Sequence, residues 1–416
     1  MNTDSLKRNS PIPDKNGFSA GVKLPGEPVS GSDYADGKYQ VEIVSDYQSL
    51  VRLQPAWNNL MKESGIDHPF VSHEWIITWW ECFGAGKSLY IVLIKSGGRI
   101  RGIVPLMISR ERMYGLNVRR IGTLYNPHTP MFDFIVPRGE EGIYRIFWAH
   151  LCNNSRPWDV LELCQLHEGS ATFSELTELA NRDRFPAGHW SSGASPYLPI
   201  SGCWDDYFKS LKKRNRGDIR RQLRRLSASG EPVLEILSSE QESGGALEEG
   251  FRIEATGWKG MAGTAIVNQP GVRRFYTRIG ERMAKMGQLR LYFLSVNGRR
   301  IAFKYCLLVR NKIFLLKTGY DSEYARYSPS NLLTSLVLQD LFKTGETEYN
   351  FLGLADPWKL KWTGRLRPHT FLYIFSKTWR GVLLNTIKFG FLPKLKQIKK
   401  LLMACINSKN PYERTK

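Results

Sequence analysis

The chain lacks several features that would place it in a familiar class. No run of about 18 apolar residues occurs, so the sequence predicts no transmembrane helix. The first residues, MNTDSLKRNSPIPDKNG, contain no apolar core of a signal peptide. The six cysteines show no CxxC spacing and no disulfide-like density, which favours reduced thiols in the cytosol. HExxH, Walker, GxSxG and GxGxxG motifs are absent, and no His–Cys spacing typical of zinc occurs, so no metal is expected.

Acidic residues are also few. The 416 residues include 39 Asp and Glu against 59 Lys and Arg, which gives a formal net charge of +20. Such an excess indicates an anionic partner, which would be a phosphate-bearing cofactor, a nucleic acid or a membrane surface. Hydrophobic residues make up 42%, which is ordinary for a globular protein with a buried core.

Two similar halves are predicted between a leader and a tail. Residues 1–38 are rich in Ser, Pro, Gly and Asn and are expected to be disordered. Residues 39–200 and 201–376 each contain two apolar runs joined by a Gly-containing turn, at 89–108 and 290–309. This repeat predicts two α+β modules, each with a mixed, mostly antiparallel sheet flanked by helices.

Three shorter features are predicted from the local sequence. Residues 188–200, GHWSSGASPYLPI, are typical of a linker, and residues 204–229 are predicted to form one strongly basic helix. Residues 348–352 and 371–375 are predicted to be the closing strands of the second module.

The segment 318–333, TGYDSEYARYSPSNLL, predicts an anion site. A strand ends at Thr318 and Gly319, and Ser328 or Ser330 can cap the helix that follows. The N–H groups and the dipole of a helix N-terminus attract anions. A pyrophosphate is therefore expected here, with an extended thiol arm along residues 314–318; an ordinary capped helix is the alternative.

Candidate acid–base groups occur in two places, one well before this segment and one within it. Glu254 is close in sequence to Trp258 and Lys259, and an indole beside a carboxylate can raise its pKa into the range of a general base. Tyr320 and Asp321 form a competing pair at the strand end. A surface Glu–Lys pair near a helix end is the alternative for the first group.

Basic side chains form three further candidates for contact with an anion. Lys359 can meet a phosphate or an anionic substrate, or it can simply be solvated. Residues 209–226 carry nine Lys and Arg against one Asp, and Arg220, Arg221 and Arg224 are predicted to contact a cofactor phosphate, an RNA or anionic lipid. Residues 377–416 carry ten basic residues and one acid, which is typical of an amphipathic tail that lies on an anionic membrane or packs on its own domain.

Taken in order, these segments resemble a known family. The residues that carry the resemblance are PFVSHEWIITWWECFG, GRIRGIVPLMI, MFDFIV, RNRGDIRRQLRRL, EATGWKGMAGTAI, RRFY, GRRIAF, LLKTGYDSEYARYSPSNLL and FLGLADPWKLKWT. They follow the order seen in CelD-like acetyltransferases, bacterial proteins with a GNAT-type fold that are often associated with cellulose or exopolysaccharide biosynthesis. The resemblance covers residues 40 to 375, most of the chain.

This resemblance implies a pair of GNAT-like modules, related to the Fem-type aminoacyl transferases. It implies N-acylation of a small-molecule amine by acetyl-CoA or another acyl-CoA, with the CoA pyrophosphate at Ser328, Ser330 and Asn331. Many GNAT enzymes have Q/RxxGxG/A at this point, where this chain has ARYSPSN.

The implied reaction is direct acyl transfer in the second module. Glu254 or Asp321 is expected to act as the base and Tyr320 as the acid, while Lys259 and Lys359 orient an anionic acceptor. Two alternatives stay open: a Fem-like transferase that uses aminoacyl-tRNA, and a non-catalytic module that binds a membrane-associated synthase or anionic lipid through the tail. The expected location is the cytoplasm, with peripheral contact to the inner membrane surface left open.

Overall fold

The computed structural model describes residues 38–153, 157–167, 169–257, 263–395 and 397. The leader that was predicted for residues 1–38 lies outside this part except for its last residue. The described strands form one continuous sheet with the order β1-β2-β3-β4-β5-β12-β6-β11-β10-β9-β8-β7. The strands are β1 Tyr39–Val44, β2 Ser88–Ser96, β3 Arg99–Met113, β4 Leu116–Thr123, β5 Val160–His167, β6 Ala187–Pro199, β7 Pro232–Leu237, β8 Leu289–Val296, β9 Arg299–Val309, β10 Lys312–Tyr320, β11 Glu348–Asn350 and β12 Leu366–Phe375.

Helices cover both faces of this sheet. They are α1 Tyr47–Arg52, α2 Gln54–Ser64, α3 His73–Phe83, α4 Gly142–Asn153, α5 Ala171–Arg182, α6 Trp204–Ser210, α7 Lys213–Ser227, α8 Glu240–Ala255, α9 Pro270–Lys285, α10 Pro329–Thr344 and α11 Trp379–Asn385. In the second half, α8 packs on β9 and β10 and buries Phe251 against Phe303. On the other face, α10 buries Leu332 and Leu333 in a separate core cluster.

The two halves repeat one strand plan, as the sequence predicted. Strands β1 to β4 form an antiparallel meander, β4 runs parallel to β5, and β7 to β11 repeat this arrangement. Both predicted hairpins turn through two consecutive residues of positive φ, Gly97-Gly98 and Asn297-Gly298. Such turns match the twist of the flanking strands. The predicted fold class, a mixed α+β sheet flanked by helices, is confirmed.

The segment expected to be a linker is a strand, and the strand expected at residues 371–375 forms but lies in the first half rather than the second. The linker segment forms β6, which pairs with β12 on one edge and with β11 on the other. Strand β12 contains residues 371–375 and lies between β5 and β6, in the sheet of the first half. Its buried Leu372 and Ile374 belong to the large core cluster, which contains residues of both halves. The boundary expected at residues 200 and 201 therefore does not separate the strands of the two halves.

The basic segment 204–229 contains two helices rather than one. Leu211 has an extended backbone with ψ 152°, and this conformation ends α6 before α7 begins. The Leu211 side chain is buried in the second core cluster, which favours the break. No helix in the described part of the chain has the length and apolar composition needed to cross a bilayer.

Candidate functional site

A cleft opens in the second half where two parallel strands separate. Strands β10 and β11 pair only through residues 312–314 and 348–350. Beyond that point the two strands diverge around a cleft of about 570 Å³. The cleft is lined by Asp218, Gln222, Glu254, Gly257, Leu315, Leu316, Lys317, Thr318, Gly319, Tyr320, Ala325, Ser328, Ser330, Asn331, Phe351, Leu352, Gly353, Asp356, Trp358, Lys359 and Lys361.

The start of α10 forms one side of this cleft. Ser328 adopts a left-handed backbone conformation with φ 49°, and Pro329 occupies the first turn of the helix. The Ser330 hydroxyl lies 3.3 Å from the Thr318 hydroxyl, which joins the helix start to β10. The predicted cap by the Ser328 side chain is not made; its hydroxyl instead accepts a hydrogen bond from Gln222 at 2.9 Å. All five predicted cofactor-binding residues line the cleft: Thr318, Gly319, Ser328, Ser330 and Asn331.

Glu254 enters the cleft from the opposite face of the sheet. Neighbouring residues of a strand point to opposite faces, so Thr318 faces α10 and Gly319 faces α8. A Cβ at Gly319 would lie 2.5 Å from the Glu254 Cα, so only glycine allows α8 to approach this closely. The Glu254 carboxylate is buried and accepts a hydrogen bond from the Ile266 backbone at 3.0 Å. Trp258 and Lys259, its predicted neighbours, lie outside the described residues.

Tyr320 and Asp321 have different surroundings. Tyr320 is half-buried and lines the cleft. The Asp321 carboxylate accepts from the backbone N–H of Glu323 at 3.0 Å and pairs with Arg299 at 2.6 Å. Asp321 therefore caps the short 3-10 helix Ser322–Tyr327 and is not among the residues that line the cleft.

Lys359 lines the cleft and also forms hydrogen bonds within the turn that borders it. Its ammonium group donates to the carbonyls of Leu352 and Leu354, each at 2.8 Å, and pairs with Asp356 at 2.9 Å. Leu352 and Gly353 both have positive φ in the turn that follows β11. The lysine stabilises this turn, so its ammonium is already engaged.

The three predicted arginines lie beside the cleft rather than in it. Arg220, Arg221 and Arg224 are exposed on α7, and Arg221 pairs with Asp218 at 2.6 Å. From this helix, Asp218 and Gln222 line the cleft instead.

The corresponding opening in the first half is filled by the chain itself. Strand β4 pairs with β5 only through residues 120–122 and 160–162. Where β4 stops, Ile135 exchanges hydrogen bonds with Ile103 of β3, and Phe132 bridges to Leu166 of β5. Residues 131–136 are all buried, so this segment takes the place that the cleft has in the second half.

The part of the chain that matches a known protein family is the part that forms the cleft. Residues 213–360 match the acetyltransferase (GNAT) domain family, a range that includes every cleft-lining residue except Lys361. The second half has a GNAT-type acyltransferase fold. A search of curated proteins found no match.

Solved structures show the same fold over a larger part of the chain. FemX is similar with a TM-score of 0.54 at 11% identity, over 81% of this chain and 97% of its own. A conserved protein of unknown function from Bacteroides thetaiotaomicron has a TM-score of 0.51 at 11% identity, over 80% of this chain and 100% of its own. At this identity the likeness shows the fold alone.

Two residues of the GNAT-type half were not found from the sequence. Gln222 was hidden among the arginines of a basic helix, and nothing local marks it. Lys304 is buried on β9 directly opposite Thr318, and its ammonium has no hydrogen-bond partner among the described residues. Burial lowers the pKa of Lys304 from 10.5 to about 8. Its one sequence signal is a single charge inside the apolar strand IAFKYCLLV.

Proposed function

We propose that the second half is an acyl-CoA-dependent N-acyltransferase that passes its acyl group directly to an amine. The observation that carries this proposal is the arrangement around the cleft. A helix N-terminus lies on one face of the sheet, and a buried carboxylate lies on the other, where the two strands separate. An acyl donor and an amine can therefore meet from opposite sides.

The donor is assigned to the α10 side. Ser328, Ser330 and Asn331 stand at the helix start, where N–H groups and the helix dipole favour a pyrophosphate. Strand β10 pairs with β11 only up to residue 314, so the edge from 315 to 320 faces the cleft. An extended thiol arm can lie along this edge and form main-chain hydrogen bonds. Acetyl-CoA is the proposed donor, and a longer acyl chain is the alternative.

The acceptor amine is assigned to the α8 side. The amine attacks the thioester carbonyl, the C–S bond breaks, and the amide forms. Glu254 takes the proton from the attacking nitrogen, directly or through water, and the Tyr320 hydroxyl gives a proton to the departing thiolate. Asp321 is the weaker candidate for the base, because its carboxylate already pairs with Arg299 and caps a helix. The resemblance to CelD-like proteins supports an amine on a sugar or an exopolysaccharide-related metabolite.

An aminoacyl-tRNA-dependent transferase is the second candidate. Arg220, Arg221 and Arg224 are exposed on α7, whose Asp218 and Gln222 line the cleft. A basic helix at the rim of an acyl-transfer site suits the phosphates of an RNA. The fold likeness to FemX is compatible with this candidate but is a likeness of fold only.

Calorimetric titration with CoA and acetyl-CoA, at low and at physiological salt, tests the choice. We expect a one-to-one complex that persists at physiological salt and is weakened by Ser330→Glu. The matched control is Ser174→Glu, an exposed serine near the start of α5, which should leave binding unchanged. Absence of CoA binding, together with charged tRNA binding that falls steeply with salt, would favour the second candidate. Absence of all binding and of turnover would favour a non-catalytic module.

A further inference from the structure

The chain after β12 forms a helical segment fixed on the sheet of the first half. Helix α11 is followed by a π-helical stretch, Thr386–Phe391, and by helical residues up to 395. On its inner side, Leu384 is buried in a cluster with Tyr373 and Phe375. The Phe389 ring lies 5.1 Å from the ring of Trp190. This packing determines which side of the segment points outward.

The outward side carries large apolar side chains. We call it the C-terminal face, and it consists of Trp379, Val382, Leu383, Phe391 and Leu395. Trp379 is 69% exposed and Phe391 is 64% exposed. A helix that exposes two aromatic and three aliphatic side chains on one side is typical of a surface that contacts another apolar phase.

The charged residues of this segment itself are all basic. No Asp or Glu occurs between Asp356 and Glu413 in the sequence. Lys377 and Lys394 are exposed at the two ends of the segment, and the Arg380 guanidinium lies 5.8 Å from the centre of the Trp379 ring. Aromatic side chains with Lys and Arg beside them, on a segment that itself carries no acidic residue, complement the headgroup region of an anionic bilayer.

We propose that the C-terminal face docks on a membrane surface that contains anionic lipids. Trp379 and Phe391 insert at the boundary between headgroups and acyl chains, and Lys377, Arg380 and Lys394 contact the lipid phosphates. None of these residues lines the cleft, so this proposal does not depend on the acyltransferase assignment.

Sedimentation of the full chain with lipid vesicles tests the proposal. Vesicles of phosphatidylcholine alone are compared with vesicles that also contain phosphatidylglycerol, at low and at physiological salt. We expect binding only to the anionic vesicles, with weaker binding as salt increases. The double variant Trp379→Ser/Phe391→Ser should lose more than about tenfold in affinity, since two large apolar contacts are removed. The charge-reversal variant Lys377→Glu/Lys394→Glu should lose binding while it keeps both aromatic side chains.

The matched control is Val233→Ser/Ile236→Ser, which removes two exposed apolar side chains from the edge strand β7. Its vesicle binding should equal that of the wild type, and circular dichroism should show that every variant is folded. No binding by the wild type, or equal binding by the aromatic variant, would overturn the proposal. Loss of all binding on deletion of residues 398–416 alone would place the contact outside this face. A wild-type dimer that the aromatic variant dissociates, without vesicle binding, would make the face a contact between copies.

Discussion

The Lys304 ammonium lies 5.8 Å from the centre of the Trp358 ring. Trp358 is one of the residues that line the cleft. A fully buried cation without a hydrogen-bond partner in the described part of the chain is costly for folding. The same charge raises the potential behind the cleft, which favours an anionic ligand there. We infer that the Lys304 charge lowers the stability of the fold and, in return, strengthens binding of the proposed anionic donor.

Lys304→Met should therefore make the protein more stable at neutral pH. The folded-state pKa is about 8 and lies below the ordinary value of 10.5, so protonation favours the unfolded chain. The unfavourable contribution is complete below pH 8 and fades as the pH rises towards 10.5. We expect a gain of about 3 kcal/mol in the free energy of unfolding at neutral pH, and a smaller gain in alkali. Urea unfolding of both proteins, from neutral pH to about pH 10.5, measures this difference in the free energy of unfolding.

The control for this variant is Lys343→Met, an exposed lysine on α10. It should change the free energy of unfolding little and without the same pH dependence. Calorimetry should also show weaker binding of CoA by Lys304→Met. A variant that is neither more stable nor a weaker binder would contradict the inferred role of the charge.

Gly319→Ala should destabilise the fold and lower turnover. The added Cβ would lie 2.5 Å from the Glu254 Cα, so α8 must move away from β10 and take the carboxylate with it. We expect a loss of about 1–3 kcal/mol in the free energy of unfolding, as in other overpacked sites. Gly217→Ala is the matched control, since a Cβ there meets nothing within 4 Å. That variant should stabilise α7 by up to about 1 kcal/mol, and equal behaviour of the two variants would refute the close-approach explanation.

Glu254→Gln and Asp321→Asn should affect different quantities. The glutamine can still accept the Ile266 N–H, so the fold should hold while turnover falls by about 10²–10⁴-fold, the usual contribution of a general base. Asp321→Asn removes one of the two ionic partners of Arg299, the other being Glu323, and should mainly lower stability. Steady-state kinetics with thermal melts separates the two effects. Unchanged turnover in both variants would show that neither carboxylate is the base.

The chain should bind one acyl donor and not two. Residues 131–136 fill the opening of the first half through the bridges of Phe132 and Ile135, which leaves the second-half cleft as the proposed donor site. Titration should give a stoichiometry of one, and Ser330→Glu should weaken that single event. A second binding event that survives in Ser330→Glu would place a working site in the first half.

Local features of the fold were accessible from the sequence. The turns at Gly97-Gly98 and Asn297-Gly298 follow from residues that adopt positive φ easily, and Pro329 marks the start of α10. For the same reason the α10 side of the cleft could be predicted, because strand end, loop and helix start lie within one segment. Glu254 was found because its helix end and the following Gly-rich loop are also visible locally.

Features that join distant residues were decided by the tertiary structure. Strand β12 lies between β5 and β6, although its residues follow the second half in the sequence. Gln222 reaches the cleft through a hydrogen bond to Ser328, a residue 106 positions away. The sequence predicted Asp321 as a candidate base and Lys359 as a contact for an anion, but Arg299 and the turn after β11 engage these two side chains.

Backbone preferences and side-chain periodicity act over a few residues, so the sequence by itself determined the hairpins, the start of α10 and the repeated plan. Strand order and the partners of buried charges depend on which surfaces meet when the whole chain packs, and no short pattern encodes them. The open cleft of the second half and the filled opening of the first half also depend on the packing of the whole chain. They differ because residues 131–136 can extend a strand edge where β4 ends, whereas β10 continues and leaves its edge to the cleft.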